Sequence, residues 1–251
     1  MGRFASTVEY YVRYREPYPP AFFQAIMERL ALHGDEALLD VGCGPAPLSI
    51  GIAPFVGSCT GLDPEALMIE AASAAARAAG VRLTLHSGCI EDFSADRSYD
   101  IVTIGRALHW LDRRAALDVL ERVVAPSGRV QVCGSTSVES PLSPWLKPYQ
   151  ELCNRWSNAP DRKRYCIESR DWFAGSRFGL VDNISVAQEQ RIGVDGMIGR
   201  ALSRSHTSRA VLGDRQAEFE AAIRAALEPF SQNGSLSEEI VSRAAVFGRL
   251  T

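Results

Sequence analysis

The chain lacks any paired cysteine motif. Its six cysteines stand apart at Cys43, Cys59, Cys89, Cys133, Cys153 and Cys166, and its four histidines are equally scattered. That spacing argues against a zinc site and against a disulfide framework, so no metal is expected. Several of the cysteines fall in apolar strand-like runs, where a thiol behaves as a small hydrophobe. A reducing cytoplasm is the expected setting. No apolar run nears the roughly 20 residues of a membrane span. The opening stretch, MGRFASTVEYYVRYREPYPP, has no apolar signal core, and its Met-Gly start with Ser6 fits only a loose myristoylation pattern. A large charge of one sign is missing too: the net charge of −3 gives no bulk field to hold nucleic acid. Neither nucleic acid nor membrane is expected as a partner, and nothing in the composition sets an oligomeric state. There is no internal repeat and no low-complexity tract.

What is present is an alternation. The 251 residues suffice for a buried core. Phe22, Phe23, Ile26 and Leu30 recur at helical spacing, with Gly34 placed to close the helix. Leu38–Val41 reads as a short buried strand, Leu48–Phe55 as a helix, and SCTGLD as a second strand ending at Asp63. Asp63-Pro64 reads as a helix start, an Asp cap followed by Pro at the first helical position. The alanine-rich helix that follows stops at Gly80. VRLTLH, DIVTI and RVQVCG supply three more strands, with Asp112 capping the helix between the last two. Strand and helix thus alternate from about Phe22 to Cys133, which predicts a parallel sheet with helices on both faces.

Residues 135–180 break the pattern with four prolines and three tryptophans, and read as an insertion packed over something. ISVAQEQ reads as a sixth strand and IVSRAAVFGRL as a last one, with helices near 195–204 and 215–229.

The stretch ALLDVGCGPAP holds the strongest site signal. In open parallel sheets a ligand sits beyond the carboxyl ends of the strands. Gly42 and Gly44 give a backbone that turns sharply and approaches a ligand closely. Asp63 ends the second strand, where an acid accepts both hydroxyls of a ribose. Pro45 and Pro47 remove two N–H donors from the loop, which makes a poor phosphate cradle. The reading is a nucleoside-bearing cofactor without phosphate. Taken singly, Asp63 is equally a helix cap and Gly-x-Gly equally a turn.

In order and at proper spacing, LLDVGCGPAPLS, GLDPEALMIEAA, GCIEDF, SYDIVTIGRALHWLD and RVVAPSGRV resemble the motif series of the class I S-adenosylmethionine-dependent methyltransferases. With the N-terminal Y…R…YP element, the likeness is to the small-molecule branch that includes trans-aconitate-type (methyltransferase type 11) enzymes. It covers residues 10–134 and is loose beyond. The resemblance implies a Rossmann-like α/β fold: a doubly wound, mostly parallel seven-stranded sheet with an antiparallel last strand. It implies a single domain over 1–251, with a cofactor core at 35–134, a helical substrate lid from 1–20 and 135–180, and a C-terminal part at 181–251.

The same resemblance implies S-adenosylmethionine as cofactor and a small-molecule acceptor, methylated on O, N or C. Asp40, Gly42, Cys43 and Gly44 would line the methionine and ribose part, and Asp63 would hold the ribose hydroxyls. Ile90 and Glu91 would flank the adenine, largely through backbone. Gly105 and Arg106 would sit near the transferable methyl, and Tyr11 and Arg15 would reach the cofactor's carboxylate. Two departures stand out. Ala46 replaces the usual third glycine, which ordinary backbone angles would allow. Cys89 replaces a frequent acid that contacts adenine.

A sulfonium methyl is already a strong electrophile, so the protein's task is to align a nucleophile with it in a dry pocket. A hydroxyl or carbon acid also needs a base. His109 and Tyr14 are the catalytic candidates, with Arg13, Tyr18 and Trp110 facing the acceptor. Against them stand packing roles: His109 under the lid, Trp110 in the core, and the tyrosines on a covering helix. Arg13 and Arg15, expected among tyrosines, and the RKR run at 162–164 suit an anionic acceptor such as a carboxylate or phosphate. Two other readings remain: a dinucleotide-dependent oxidoreductase with a degenerate loop, and a catalytically inactive methyltransferase-like binding protein.

Overall fold

In the computed structural model, residues 7–95, 97–157 and 168–250 are described. Ser6, the RKR run and Cys166 lie outside them. The elements run α1 (Val8–Tyr14), α2 (Pro20–Leu30), β1 (Ala37–Val41), α3 (Pro47–Ile52), β2 (Ser58–Asp63), α4 (Ala66–Ala78), β3 (Thr84–Ser87), β4 (Tyr99–Gly105), α5 (Arg113–Val123) and β5 (Val124–Ser137). They continue with α6 (Leu146–Trp156), α7 (Ser169–Phe173), β6 (Phe178–Gly193), α8 (Val194–Leu202), the one-turn α9 (Arg209–Leu212), α10 (Gln216–Leu227) and β7 (Ser235–Arg249). The sheet order is β3-β2-β1-β4-β5-β7-β6. β1 pairs in parallel with β2 and β4, β2 with β3, and β4 with β5. β7 runs against β6: Val194 N–H donates to the Gly234 carbonyl, and Leu250 N–H to that of Arg177. The expected seven-stranded, mostly parallel sheet with a reversed last strand is the one observed.

The chain divides into two compact units. Of the described residues, a sheet unit takes 18–95, 97–134, 168–186 and 242–250; a helical unit takes 7–17, 135–157 and 187–241.

In the sheet unit, the alternation of β1 and β4 sends side chains to two cores. Leu39, Val41, Val102 and Ile104 meet Leu117 and Leu120 of α5 on one face. Leu38 and Ile101 meet Phe22, Phe23 and Ile26 of α2 and Leu48 of α3 on the other. Trp172 and Phe173 of α7 are buried in the first of these cores. The stretch expected as one lid over 135–180 is therefore split, because its second half carries apolar rings that the sheet unit buries.

Local signals set some helix ends. Asp112 caps α5, its carboxylate accepting the Ala115 N–H at 2.9 Å. Gly80 closes α4 in a Schellman motif: its N–H reaches the Arg77 carbonyl and Val81 N–H that of Ala76. Three expectations change. α2 stops not at Gly34 but at Ala31, which takes the left-handed conformation itself at φ 50°. α3 is shorter than expected, because Pro54 lacks the N–H a further α-turn needs and the chain tightens into a 3₁₀ turn at Ala53–Phe55. Asp63 does not cap α4; that helix begins at Ala66 with Glu65 before it.

The helical unit has its own core, in which Trp145, Tyr149, Met197, Phe219 and Ile223 are buried. α1 packs on α8 through Gly199, where a methyl group would lie 2.3 Å from the Tyr14 ring. A buried ion pair anchors this unit. The Arg200 guanidinium donates to both oxygens of Glu238, at 2.7 and 3.0 Å, and its Nε donates to the Tyr14 carbonyl. Ser137 and Gln190 complete the shell of Glu238 at 2.7 and 2.6 Å.

Candidate active site

The sheet unit gathers its site at the carboxyl ends of β1, β2, β3 and β4. After Val41 the backbone turns left-handed three times, at Gly42 (φ 64°), Gly44 (φ 55°) and Ala46 (φ 59°). The first glycine serves the chain's own packing: a methyl group on Gly42 would lie 2.6 Å from the Ala107 methyl. Ala46 departs from expectation, since its angles are those a third glycine would take and it is fully buried. α3 has six residues, begins at Pro47, and the Ala46 N–H before it is spent on the Cys43 carbonyl.

Asp63 joins the loops. Its Oδ2 accepts the Gly44 N–H at 2.8 Å and its Oδ1 the Glu65 N–H at 2.9 Å, while its carbonyl accepts the Gly88 N–H at 3.0 Å. The side chain is buried, and burial holds its pKa above the usual carboxylate value. Each oxygen has one backbone donor and keeps lone-pair capacity for another. This acceptor set fits a vicinal diol, and the proline-interrupted loop beside it fits a ligand with no phosphate there.

Asp40 is placed differently from the sequence expectation of a ligand-lining acid. Ser49 and Thr103 hydroxyls donate to its two oxygens at 2.7 and 2.8 Å, and it is 1% exposed. Burial pushes its pKa up to about 6, against the pull of those two donors. It fixes the end of β1 to α3 and β4. Cys43 is also buried, and burial pushes its thiol up.

After β3, Ile90 is buried in the core and Glu91 is half-buried. The Glu91 carboxylate accepts the Asp112 N–H at 3.0 Å. After β4, Gly105 packs so closely on Leu48 that a methyl group would lie 2.5 Å from its side chain. Arg106 is left-handed at φ 56°, donates its N–H to Cys133, and lays its guanidinium 4.7 Å above the Tyr18 ring. His109 and Trp110 share the 3₁₀ turn that follows, with ring centroids 4.7 Å apart.

The remaining candidates belong to α1 of the helical unit. The Tyr14 ring packs against Gly199. Arg15 donates to the Ser203 carbonyl at 3.3 Å, with its guanidinium 4.9 Å over the Tyr11 ring. Arg13 is exposed rather than buried among tyrosines, because α1 turns that side outward. Sequence reasoning missed the Ser49–Asp40–Thr103 and Glu91–Asp112 links. Each joins residues on different elements, at least nine positions apart, and has no local signature.

Residues 38–128 match the family model of the methyltransferase domain. The uncharacterized methyltransferase YcgJ of Bacillus subtilis is 31% identical over 43% of this chain and 44% of its own length. A demethylmenaquinone methyltransferase of Staphylococcus epidermidis is 29% identical over 62% of this chain and 66% of its own. The chain thus spans between 44% and 66% of the length of these curated relatives. A solved S-adenosylmethionine-dependent methyltransferase from Geobacter sulfurreducens, in complex with S-adenosyl-L-homocysteine, superposes with a TM-score of 0.56. It is 15% identical over 100% of this chain and 99% of its own. The family match and the fold likeness thus concur: residues 38–128 are similar to methyltransferase domains, and the fold is shared with a solved S-adenosylmethionine-dependent methyltransferase.

Proposed function

We propose that the protein is an S-adenosylmethionine-dependent methyltransferase acting on a small-molecule acceptor. The observation that carries the reading is Asp63: a buried carboxylate at the end of β2, steadied by the backbone of Gly44 and Glu65, with acceptor capacity left on both oxygens. When bound, the cofactor supplies an electrophilic methyl on a sulfonium. In this reading Asp63 holds the ribose hydroxyls, and the backbones of Gly42, Cys43 and Gly44 line the methionine side. The backbone of Ile90 and Glu91 flanks the base. Gly105 and Arg106 border the methyl position, since β4 ends there. His109, on the turn directly after β4, is the group to take a proton from a hydroxyl or carbon acid; a carboxylate acceptor needs no base. Arg106, its guanidinium over the Tyr18 ring, is of the residue type suited to an anionic acceptor. Tyr14, packed against Gly199, reads as a residue that seats α1 rather than as a base.

Calorimetric titration with S-adenosylmethionine, S-adenosylhomocysteine and NAD tests the reading, followed by transfer of a labelled methyl to a fractionated metabolite extract. Micromolar binding of the first two and labelling of a small molecule are expected. Binding of NAD with no response to S-adenosylmethionine overturns the reading in favour of an oxidoreductase. Binding with no labelled product in any fraction favours a methyltransferase-like binding protein.

A further inference from the structure

The N-terminus of α5 is capped in an unusual way. In a capping box the N-cap residue bonds the amide three positions on, and the residue there returns a carboxylate or amide to the N-cap N–H. Asp112 does its half, accepting from the Ala115 N–H. Ala115 has no side chain that can answer. The acceptor for the Asp112 N–H is instead Glu91, 21 residues earlier, on the turn that follows β3. A local Glu at position 115 would serve the helix equally well. Supplying the acceptor from Glu91 does something more: it ties the loop after β3 to the loop after β4. His109 and Trp110 lie on the turn just before Asp112.

The next residue fastens the same segment again. Arg113 donates from Nε to the Trp172 carbonyl at 2.6 Å and from Nη2 to that of Ala174, at the end of α7. Asp112 and Arg113, directly after the turn bearing His109, are thus held by Glu91 and by the end of α7.

We infer that Glu91 is a positioning residue that couples occupancy of the cofactor loop to the placement of the His109–Trp110 turn. The inference rests on the cofactor reading above. A base or ribose seated against residues 89–91 shifts or stiffens that backbone, and the carboxylate passes the change to Asp112 and the turn before it. The acceptor side of the site is then set only when the cofactor is in place.

The test uses the full chain labelled with 5-fluorotryptophan. Its four tryptophans give few ¹⁹F signals, and Trp110→Phe identifies the one of interest. Each variant is read without ligand and at saturating S-adenosylhomocysteine, with saturation fixed by calorimetry. In the wild type the Trp110 signal moves on saturation. In Glu91→Ala at least half of that movement is lost, and in Glu91→Gln, whose amide oxygen still accepts, it is kept. The double variant Glu91→Ala/Ala115→Glu restores a local acceptor for Asp112 and so recovers helix stability in urea without recovering the ligand-induced movement. The coupling is overturned if Glu91→Ala shows the full movement, if the double variant recovers it, or if the wild-type signal stays still while S-adenosylhomocysteine binds. Absence of S-adenosylhomocysteine binding in the wild type, seen by calorimetry alone, overturns the cofactor reading and the coupling with it.

Discussion

Replacing Asp63 by Asn isolates the function of its second oxygen. The side chain keeps its shape but exchanges one acceptor for an NH₂ group. In the folded protein both oxygens already accept a backbone N–H, from Gly44 and from Glu65. Asn can satisfy only one of these donors, and its NH₂ then faces the other. An unmet buried N–H costs about 1–3 kcal/mol. Removing a carboxylate that burial disfavours returns part of that cost, since the Asp63 pKa is raised by desolvation. A net loss of about 1–2 kcal/mol in folding stability is expected. Cofactor affinity suffers more. One ribose hydroxyl loses a charged acceptor worth about 1.5–3 kcal/mol, which is roughly a 10- to 150-fold weaker dissociation constant. Calorimetry with S-adenosylhomocysteine and urea unfolding, on the same preparation, give the two numbers. A folded Asp63→Asn protein that binds S-adenosylhomocysteine within threefold of the wild type would refute the placement of the ribose on Asp63.

Three further outcomes follow from buried groups and helix ends. Glu238→Ala leaves the Arg200 guanidinium buried without its bidentate partner, and a broken buried pair costs about 3–5 kcal/mol; a loss under 1 kcal/mol in urea unfolding would mean water reaches this site. Asp40, with a folded pKa of about 6 against an ordinary 3.8, stabilises the fold fully below the lower value and loses that contribution as pH rises through about 6. Stability should therefore fall by about 3 kcal/mol from this group between about pH 3 and about pH 7, and a pH series on Asp40→Asn should lack that fall. Ala31→Gly relieves an exposed left-handed alanine at the end of α2 and should raise stability by about 0.5–1 kcal/mol, read as a higher urea midpoint.

The alternation of strands and helices was legible because each element of the sheet unit carries its own period and most carry their own stops. β1 and β2 are apolar runs, α5 has its Asp112 cap, and α4 has Gly80. Asp63 was legible as a site residue from its place at a strand end, but its partners were not. Asp-Pro is a common helix start, and only the fold shows that its carboxylate is taken by Gly44 across the loop instead. The ends of β5, β6 and β7 were underestimated, since in β6 half-buried residues alternate with exposed ones and lack an apolar run. The Arg200–Glu238 pair gave no signal at all: its members lie 38 residues apart, on a helix and a strand. Polar residues that satisfy one another in the interior look in sequence like residues bound for solvent.

The left-handed residues show what kind of site this is. Ala46 and Arg106, neither of them glycine, hold positive φ at the ends of β1 and β4, at a cost of about 1–2 kcal/mol each. Strain of this kind persists where the surrounding structure over-determines it. Ala46 is fully buried, and its methyl lies in a cluster with Cys43 and Ala72, so glycine there would relieve the backbone and lose the packing in nearly equal measure. Arg106 is held by its N–H bond to Cys133 and by the stack on Tyr18. In both places the backbone direction is fixed by packing from behind, and the face toward the strand ends is left to backbone groups and to Asp63. In the reading proposed above, a site assembled in this manner recognises its cofactor through main-chain geometry and one carboxylate. The packing behind the loop is why the left-handed turn tolerates an alanine at position 46.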